Sequence, residues 1–276
     1  MNWLITGGCG FIGTSLIKTL INENNHNIRV LDNLTTGTRD DLLEACTYSE
    51  MSVESVNEFN GIELVVGDIL DEELAVKVTK NADVIIHLAA NTGVGPSVEN
   101  PRADCMANVI GTFNYLEAAR INNVSRFVFA SSGAPAGEVE PPIHEELPPH
   151  PVSPYGASKL AGEGYCSAYY KTFNIQTVML RFGNVYGPGS LHKSSIVAKF
   201  IRQALNKETL EIYGDGAQTR DFIYIDDLIS ALRLAVTTEG IGGEAFQIAS
   251  NKETTVGEIT EKMVEILNQN EIGRAS

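Results

Sequence analysis

Tyr155 and Lys159 stand four residues apart in Ser-Pro-Tyr-Gly-Ala-Ser-Lys (153–159), directly after Pro154. Proline suits the first turn of a helix. On a helix, residues at i and i+4 share a face. A free phenol has a pKa of about 10 and is a poor base at neutral pH. An ammonium one turn away favours the phenolate. Tyr155 and Lys159 are therefore expected to exchange a proton with an alcohol. The same five-residue pattern also occurs by chance on exposed helices, so its surroundings decide its weight.

The strongest of those surroundings is Thr6-Gly7-Gly8-Cys9-Gly10-Phe11-Ile12-Gly13, which follows an apolar strand and opens a helix. Glycines at 7, 10 and 13 permit a tight turn and let the backbone approach a pyrophosphate. The helix N-terminus adds N–H groups and a positive dipole end for that anion. The next strand, Ile28-Arg29-Val30-Leu31, ends in Asp32, 19 residues beyond Gly13. A carboxylate there accepts hydrogen bonds from ribose hydroxyls and repels a 2′-phosphate, which favours NAD over NADP. Gly67-Asp68-Ile69 closes the third strand, where Asp68 and Ile69 would flank an adenine. His87-Leu88-Ala89-Ala90 closes the fourth, with small residues that let the chain pass close to a cofactor. His87 itself reads as a satisfied, partly buried histidine, because no metal-ligand pattern accompanies it.

The elements that must position these groups alternate along the first two-thirds of the chain. Strands are expected at 3–6, 28–32, 62–66, 83–88, 126–131 and 175–180. Helical stretches at 11–23, 71–80, 105–122 and 155–173 separate them. Alternating strands and helices predict an α/β fold, a parallel sheet with helices on both faces. The Gly- and Pro-rich stretch 133–154 is expected to form a loop over a cleft. Past about residue 182 the rhythm changes: helices at 194–207, 226–237 and 255–268, strands at 209–213 and 221–225, and a turn at 214–217. This predicts a domain of residues 1–182 and a smaller mixed lobe of 183–276, interleaved with the first near 218–237.

Composition narrows the partners. The chain has 276 residues, 43% of them apolar, enough to bury a large core. A formal net charge of −15 disfavours nucleic acid and anionic membranes as partners. No apolar run reaches the roughly 18 residues that a spanning helix needs, and no basic leader precedes the first strand. Cys9, Cys46, Cys105 and Cys166 are scattered, which argues against zinc and disulfides and for a reducing cytoplasm.

Together these residues resemble the extended short-chain dehydrogenase/reductase superfamily, in its nucleotide-sugar epimerase/dehydratase branch. The resemblance covers nearly the whole chain. It rests on residues 6–13, Asp32-Asn33-Leu34, His-Leu-Ala-Ala (87–90) and Asn108-Val-Ile-Gly-Thr112. Ser131-Ser132, Tyr155-x-x-x-Lys159, Arg181-Phe-Gly-Asn-Val-Tyr-Gly-Pro-Gly189 and Gly214-Asp-Gly-Ala-Gln-Thr-Arg-Asp-Phe222 complete it. It implies a Rossmann-type doubly wound sheet with a substrate-binding lobe. It implies NAD held by Gly7, Gly10, Phe11, Ile12, Gly13, Asp32, Asn33, Asp68, Ile69, Leu88, Ala89, Ala90, Asn108, Tyr155, Lys159 and Phe182. Tyr155 would be the acid/base, Lys159 would bind the nicotinamide ribose, and Ser132 would hydrogen-bond the reacting sugar oxygen. Asn184 and Arg220 would meet the diphosphate, Tyr213 would pack on the base, and Ser195 would line the pocket. A guanidinium such as Arg220 suits a diphosphate on an otherwise acidic protein. Relatives also imply a homodimer through the helices at 105–122 and 155–173.

Three departures stand out. Ala136-Gly137, after Pro135, replaces the family's frequent Tyr-Gly and alters the wall above the sugar. Thr92 aligns where some epimerases carry a lysine. Family members usually continue with further C-terminal structure, so the lobe is expected to be small or truncated.

The implied chemistry begins with Tyr155 taking the proton of a sugar C4 hydroxyl while hydride leaves C4 for the cofactor. Dehydratases of the branch then need an Asp-Glu pair, and decarboxylases a Glu, just after the catalytic Ser or Thr. Here Gly133 and Ala134 occupy those positions. The expected reaction is therefore C4 epimerisation of a UDP-hexose. The alternatives are a dehydratase or other NAD-dependent oxidoreductase, and a catalytically silent NAD-sensing protein on the same scaffold.

Overall fold

In the computed structural model, residues 1–23, 25–190, 195–212 and 214–269 are described. The chain divides into two compact units, Met1–Phe182 with Ile229–Gln247, and Gly183–Leu228 with Ile248–Ser276.

The first unit is built on strands β1 (Asn2–Thr6), β2 (Asn27–Asp32), β3 (Ser49–Met51), β4 (Ile62–Val66), β5 (Val84–His87), β6 (Arg126–Ser132), β7 (Gln176–Phe182) and, near its end, β10 (Ala245–Ile248). Between them run α1 (Phe11–Ile21), α2 (Arg39–Ala45), α3 (Glu72–Thr79), α4 (Val94–Glu99), α5 (Pro101–Cys105), α6 (Gly111–Ile121) and α7 (Pro154–Phe173). The strand order is β10-β7-β6-β5-β1-β2-β4-β3. Every pairing from β3 across to β7 is parallel. The expected α/β doubly wound sheet is thus present. β1, β2 and β5 are buried almost throughout, as strands covered on both faces must be.

The chain leaves β1 in one direction to β2 and returns on its other side as β5. At such a switch point the loops beyond the strand ends diverge and leave a crevice. Gly7 and Asp32 stand at the ends of the first two strands, and Leu88 follows the end of β5.

Local chemistry explains the helices that matter. Ser153 caps α7 by accepting from the Gly156 N–H at 3.1 Å, and Pro154 takes the first turn. The helix stops at Asn174, which adopts a left-handed conformation at φ 57°. The stretch expected as one helix over 105–122 is interrupted by a π-helical turn at Met106–Ile110, which shifts the facing of everything after it. Strands of three or four residues, β3 and β10 among them, carry too short a pattern to be read from sequence.

The second unit holds β8 (Asn184–Tyr186), β9 (Thr219–Tyr224) and β11 (Glu253–Thr255), in the order β11-β9-β8, with α8 (Ile196–Leu205) and α10 (Val256–Gln269). Helix α9 (Ile225–Thr237) begins in this unit and continues into the first. The strand expected at 209–213 is not formed over 209–212, and Tyr213 lies outside the described residues.

Candidate active site

The glycine loop is dense. The Gly7 N–H donates to Leu31 O at 2.8 Å, tying the loop to β2. Gly7 has φ +69°, and a Cβ on it would stand 2.8 Å from Ala89 N. A Cβ on Gly13 would lie 2.5 Å from Gly8 Cα. Both contacts are too close for any side chain, so the loop and α1 pack directly against neighbouring backbone. Helix α1 starts at Gly10 with no side chain capping it. An uncapped N-terminus beside tight glycine turns is the arrangement that receives a pyrophosphate. Gly13→Ala is expected to abolish NAD binding measurable by calorimetry and to lower the melting temperature.

Asp32 is 8% exposed. One of its oxygens accepts from the Cys9 N–H at 3.0 Å and the other from the Leu34 N–H at 2.9 Å. Burial raises its carboxyl pKa, and these two backbone bonds oppose the rise. Each oxygen retains a further lone pair that a ribose hydroxyl can use. Asn33 donates to Asp68 at 3.0 Å, bridging the segments beyond β2 and β4. Ile69 is buried against Gly111, where a Cβ would meet its side chain at 2.5 Å. These residues fit an adenosine-containing dinucleotide along the ends of β1, β2 and β4.

His87 is fully buried, with both ring nitrogens bonded. The Thr112 hydroxyl donates to Asn108 O at 2.7 Å, so it accepts from the His87 Nε2–H at 3.2 Å. Nδ1 is then the acceptor, 2.9 Å from the Thr6 hydroxyl. Burial drives the imidazole pKa down to about 3, and the Lys159 charge adds to that. His87 is a neutral strut between β1 and the first turn of α6.

Asn108 is buried inside the protein. Its carbonyl oxygen accepts from the Asn91 N–H at 2.7 Å. Its amide faces Asn91 O, Asp104 and Ser158 at 2.9, 3.0 and 3.1 Å. The structure makes it a brace for the segment after β5, with its polar atoms engaged by protein. The π turn carries it into that position, and no sequence periodicity announces such a turn.

At the end of β6, Ser132 pairs in register with Phe182 of β7. The Ser132 oxygen accepts from the Ala134 N–H at 3.2 Å, which leaves its proton to donate. Ser132 also faces the Tyr155 phenol and favours the phenolate. Lys159 is 3% exposed, and its Nζ donates to Ala130 O at 2.9 Å. The ammonium lies 5.0 Å from the Phe129 ring centroid and 5.8 Å from that of Tyr155. Ser132, Tyr155 and Lys159 are thus brought together by β6 and α7. The electrostatics differ from the sequence expectation. Burial raises the Tyr155 pKa, with Ser132 opposing and Asp104 adding to the rise. Burial also pulls Lys159 down to about 8, against the fields of Asp104, Cys166 and Glu163. Desolvation outweighs the expected lowering of the phenol because both partners lie inside the protein.

Behind this trio is a buried ion pair that sequence reasoning missed. Arg181 donates twice to Glu163, at 2.8 and 2.7 Å, and Ser131 donates to the same carboxylate at 2.6 Å. It locks β6, α7 and β7 together beside Ser132.

The remaining expected contacts belong to the second unit. The Asn184 amide donates to Asp221 O at 3.0 Å. Arg220 is exposed and donates to Thr219 O at 2.7 Å. Asp221, next to Arg220 in the chain, accepts from Ser250 at 2.7 and 2.8 Å and from the Lys252 N–H at 3.1 Å. Ser195 precedes α8, and its hydroxyl is buried with no hydrogen-bond partner. Among the described residues no cluster of three or more His, Cys, Asp or Glu is placed to hold a metal. No described helix is long and apolar enough to cross a membrane.

Residues 3–249 match the NAD dependent epimerase/dehydratase family. The chain belongs to that family. Its resemblance to UDP-glucose 4-epimerase of Mycolicibacterium smegmatis runs to 35% identity over 264 residues, 94% of this chain and 80% of the relative. Among solved structures, UDP-glucose 4-epimerase of Thermotoga maritima with UDP-glucose superposes with a TM-score of 0.86 at 33% identity, covering 97% of this chain and 83% of the other. A dTDP-glucose 4,6-dehydratase of Streptomyces venezuelae with NAD bound gives the same TM-score at 30% identity, covering 97% and 81%. The epimerase/dehydratase family takes NAD as its cofactor, and the glycine cradle with Asp32 fits it. Bound there, NAD supplies a hydride acceptor that can also return the hydride.

Proposed function

We propose that this chain is a UDP-sugar 4-epimerase of the UDP-glucose/UDP-galactose type. The observation that carries the reading is the loop after Ser132. Gly133 brings no side chain, and Ala134 begins a short 3₁₀ turn, Ala134–Ala136, with a methyl group. Neither residue transfers a proton. Glu163, behind Ser132, is held by Arg181 and Ser131, and Glu145 accepts from the Gln247 backbone N–H at 2.6 Å. Tyr155 is therefore the proton-transferring group of the trio, and one such group suffices for epimerisation.

In the proposed cycle Ser132 donates to the sugar C4 oxygen and Tyr155 accepts the C4 hydroxyl proton as C4 loses hydride. The product is a 4-keto sugar. The Lys159 ammonium, 5.8 Å from the Tyr155 ring centroid, offsets part of the burial cost when the phenol ionises and positions the nicotinamide ribose. Rotation of the keto sugar exposes its other face, and C4 takes the hydride back on that face as Tyr155 returns the proton to the C4 oxygen. Asn184 and Arg220 are proposed to hold the diphosphate, Ser195 to line the pocket and Tyr213 to pack on the base. The similarity to epimerases solved with UDP-sugars supports this assignment. A homodimer through the helical stretch 105–122 and α7 is proposed from the exposed Ile110, Ile121, Tyr165 and Phe173. A monomer-only sedimentation profile at micromolar concentration would contradict it.

The pH dependence follows from Lys159. Its ammonium supports the phenolate only while protonated, and its pKa lies at about 8. kcat is expected to fall as pH rises through that value. A profile flat to pH 10 would show that the lysine charge is not needed. Incubation with a panel of UDP-sugars, read by NMR, tests the reaction class. C4 inversion without net redox change supports the epimerase. A 4-keto-6-deoxy product selects the dehydratase, and an unchanged panel with NAD bound selects the sensing protein.

A further inference from the structure

Asp104 is a buried carboxylate outside the trio, and none of the roles above uses it directly. It is 1% exposed and lies on α5, which packs against α7. One oxygen accepts from the Asn108 amide at 3.0 Å. The other, Oδ2, is buried with no hydrogen-bond partner. A carboxylate oxygen held out of water without a donor is costly unless a cation offsets it. The same Asn108 amide reaches Ser158 Oγ at 3.1 Å, and Ser158 directly precedes Lys159. The carboxylate is thus braced against the stretch of α7 that carries the catalytic pair.

Lys159 presents the complementary problem. Its ammonium is buried, and its hydrogen bond goes to the neutral Ala130 carbonyl. The Phe129 ring on β6 and the Tyr155 ring on α7 lie 5.0 and 5.8 Å from it, and the charges that act on it or that it acts on are Asp104 on α5, Glu163 and Cys166 on α7 and His87 on β5. Burial keeps Cys166 a neutral thiol and His87 a neutral imidazole. Glu163 is already neutralised by its two bonds from Arg181. Of the two carboxylates whose charge acts on Lys159, Asp104 carries no cation of its own among the bonds described.

We propose that Asp104 is a positioning residue that acts as the counter-charge of Lys159 and keeps the lysine an ammonium within the buried site. Its field favours the charged lysine and opposes the Tyr155 phenolate, so it sets the pH window of the pair without touching substrate. This inference rests on the reading of Tyr155 and Lys159 as the acid–base pair for its catalytic meaning, while the charge pairing stands apart from turnover.

Two measurements test it. Asp104→Asn keeps the acceptor for Asn108 and removes the charge. The fall of kcat on the alkaline side is then expected to set in about one pH unit lower, and Asp104→Glu to restore it. The second measurement needs no turnover: a double-mutant cycle on melting temperature with Asp104→Asn and Lys159→Met. Lys159→Met leaves the Asp104 carboxylate buried without a cation, so the double variant is expected to melt several degrees above Lys159→Met alone. A single variant that fails to fold while the double folds shows the same coupling. Additive losses in melting temperature, or an Asp104→Asn profile lowered in height with its alkaline fall in place, would overturn the proposal. Failure of the reading of function would appear separately, as Tyr155→Phe retaining turnover.

Discussion

Replacing Tyr155 by Phe is expected to lower kcat by roughly a thousandfold or more, with NAD binding and melting temperature nearly unchanged. The change deletes one oxygen and leaves the ring in place. Lys159 is held by Ala130 O and Phe129, not by the phenol oxygen, so its position survives. Ser132 keeps its bond from the Ala134 N–H and loses only the phenol it faces. What disappears is the group that takes the C4 hydroxyl proton and gives it back. Single-turnover kinetics with a UDP-sugar would measure the loss, and calorimetry would show that NAD still binds. A variant that retained wild-type turnover would remove Tyr155 from the reaction.

Arg181→Met is expected to destabilise the first unit by about 3–5 kcal/mol. The side chains of Arg181 and Glu163 are 9% and 7% exposed. Removing the guanidinium leaves Glu163 buried with only Ser131 as a donor, which is the expensive way to break such a pair. The loss should appear as a lower urea midpoint with an unchanged slope. The further change Glu163→Leu in the same chain should recover part of it, because no charge is then stranded. The carboxylate bridges β6, α7 and β7, so activity should fall along with stability. If Arg181→Met were neutral, the pair would have no part in holding Ser132 and Lys159 together.

These two results draw on different kinds of legibility. Tyr155, Lys159, the glycine loop and Asp32 were readable because each depends on local spacing: one helical turn, one tight turn, one strand end. The sheet was readable because strands buried on both faces leave continuous apolar runs. The ion pairs were not, because a lone Arg or Glu in such a run has meaning only once register is known. Arg29 and Glu63 are paired residues of β2 and β4, bonded at 2.9 Å, yet they lie 34 positions apart in sequence. Arg181, Glu163 and Ser131 meet in the same way from three elements. Asn108 was singled out as a cofactor contact, but the π turn directs its amide into the protein. The lowering of the Tyr155 pKa was expected from charge proximity alone, and burial, which dominates, is invisible before the fold is known.

The epimerase reading makes one demand that no neighbouring chemistry shares. The hydrogen removed from C4 must return to C4, on the opposite face, without exchange with solvent. A UDP-hexose deuterated at C4, incubated with the protein and NAD and followed by NMR, tests this directly. The predicted result is the C4 epimer with deuterium retained at C4. Deuterium lost to water or found at another carbon, or a stable 4-keto product, would contradict it.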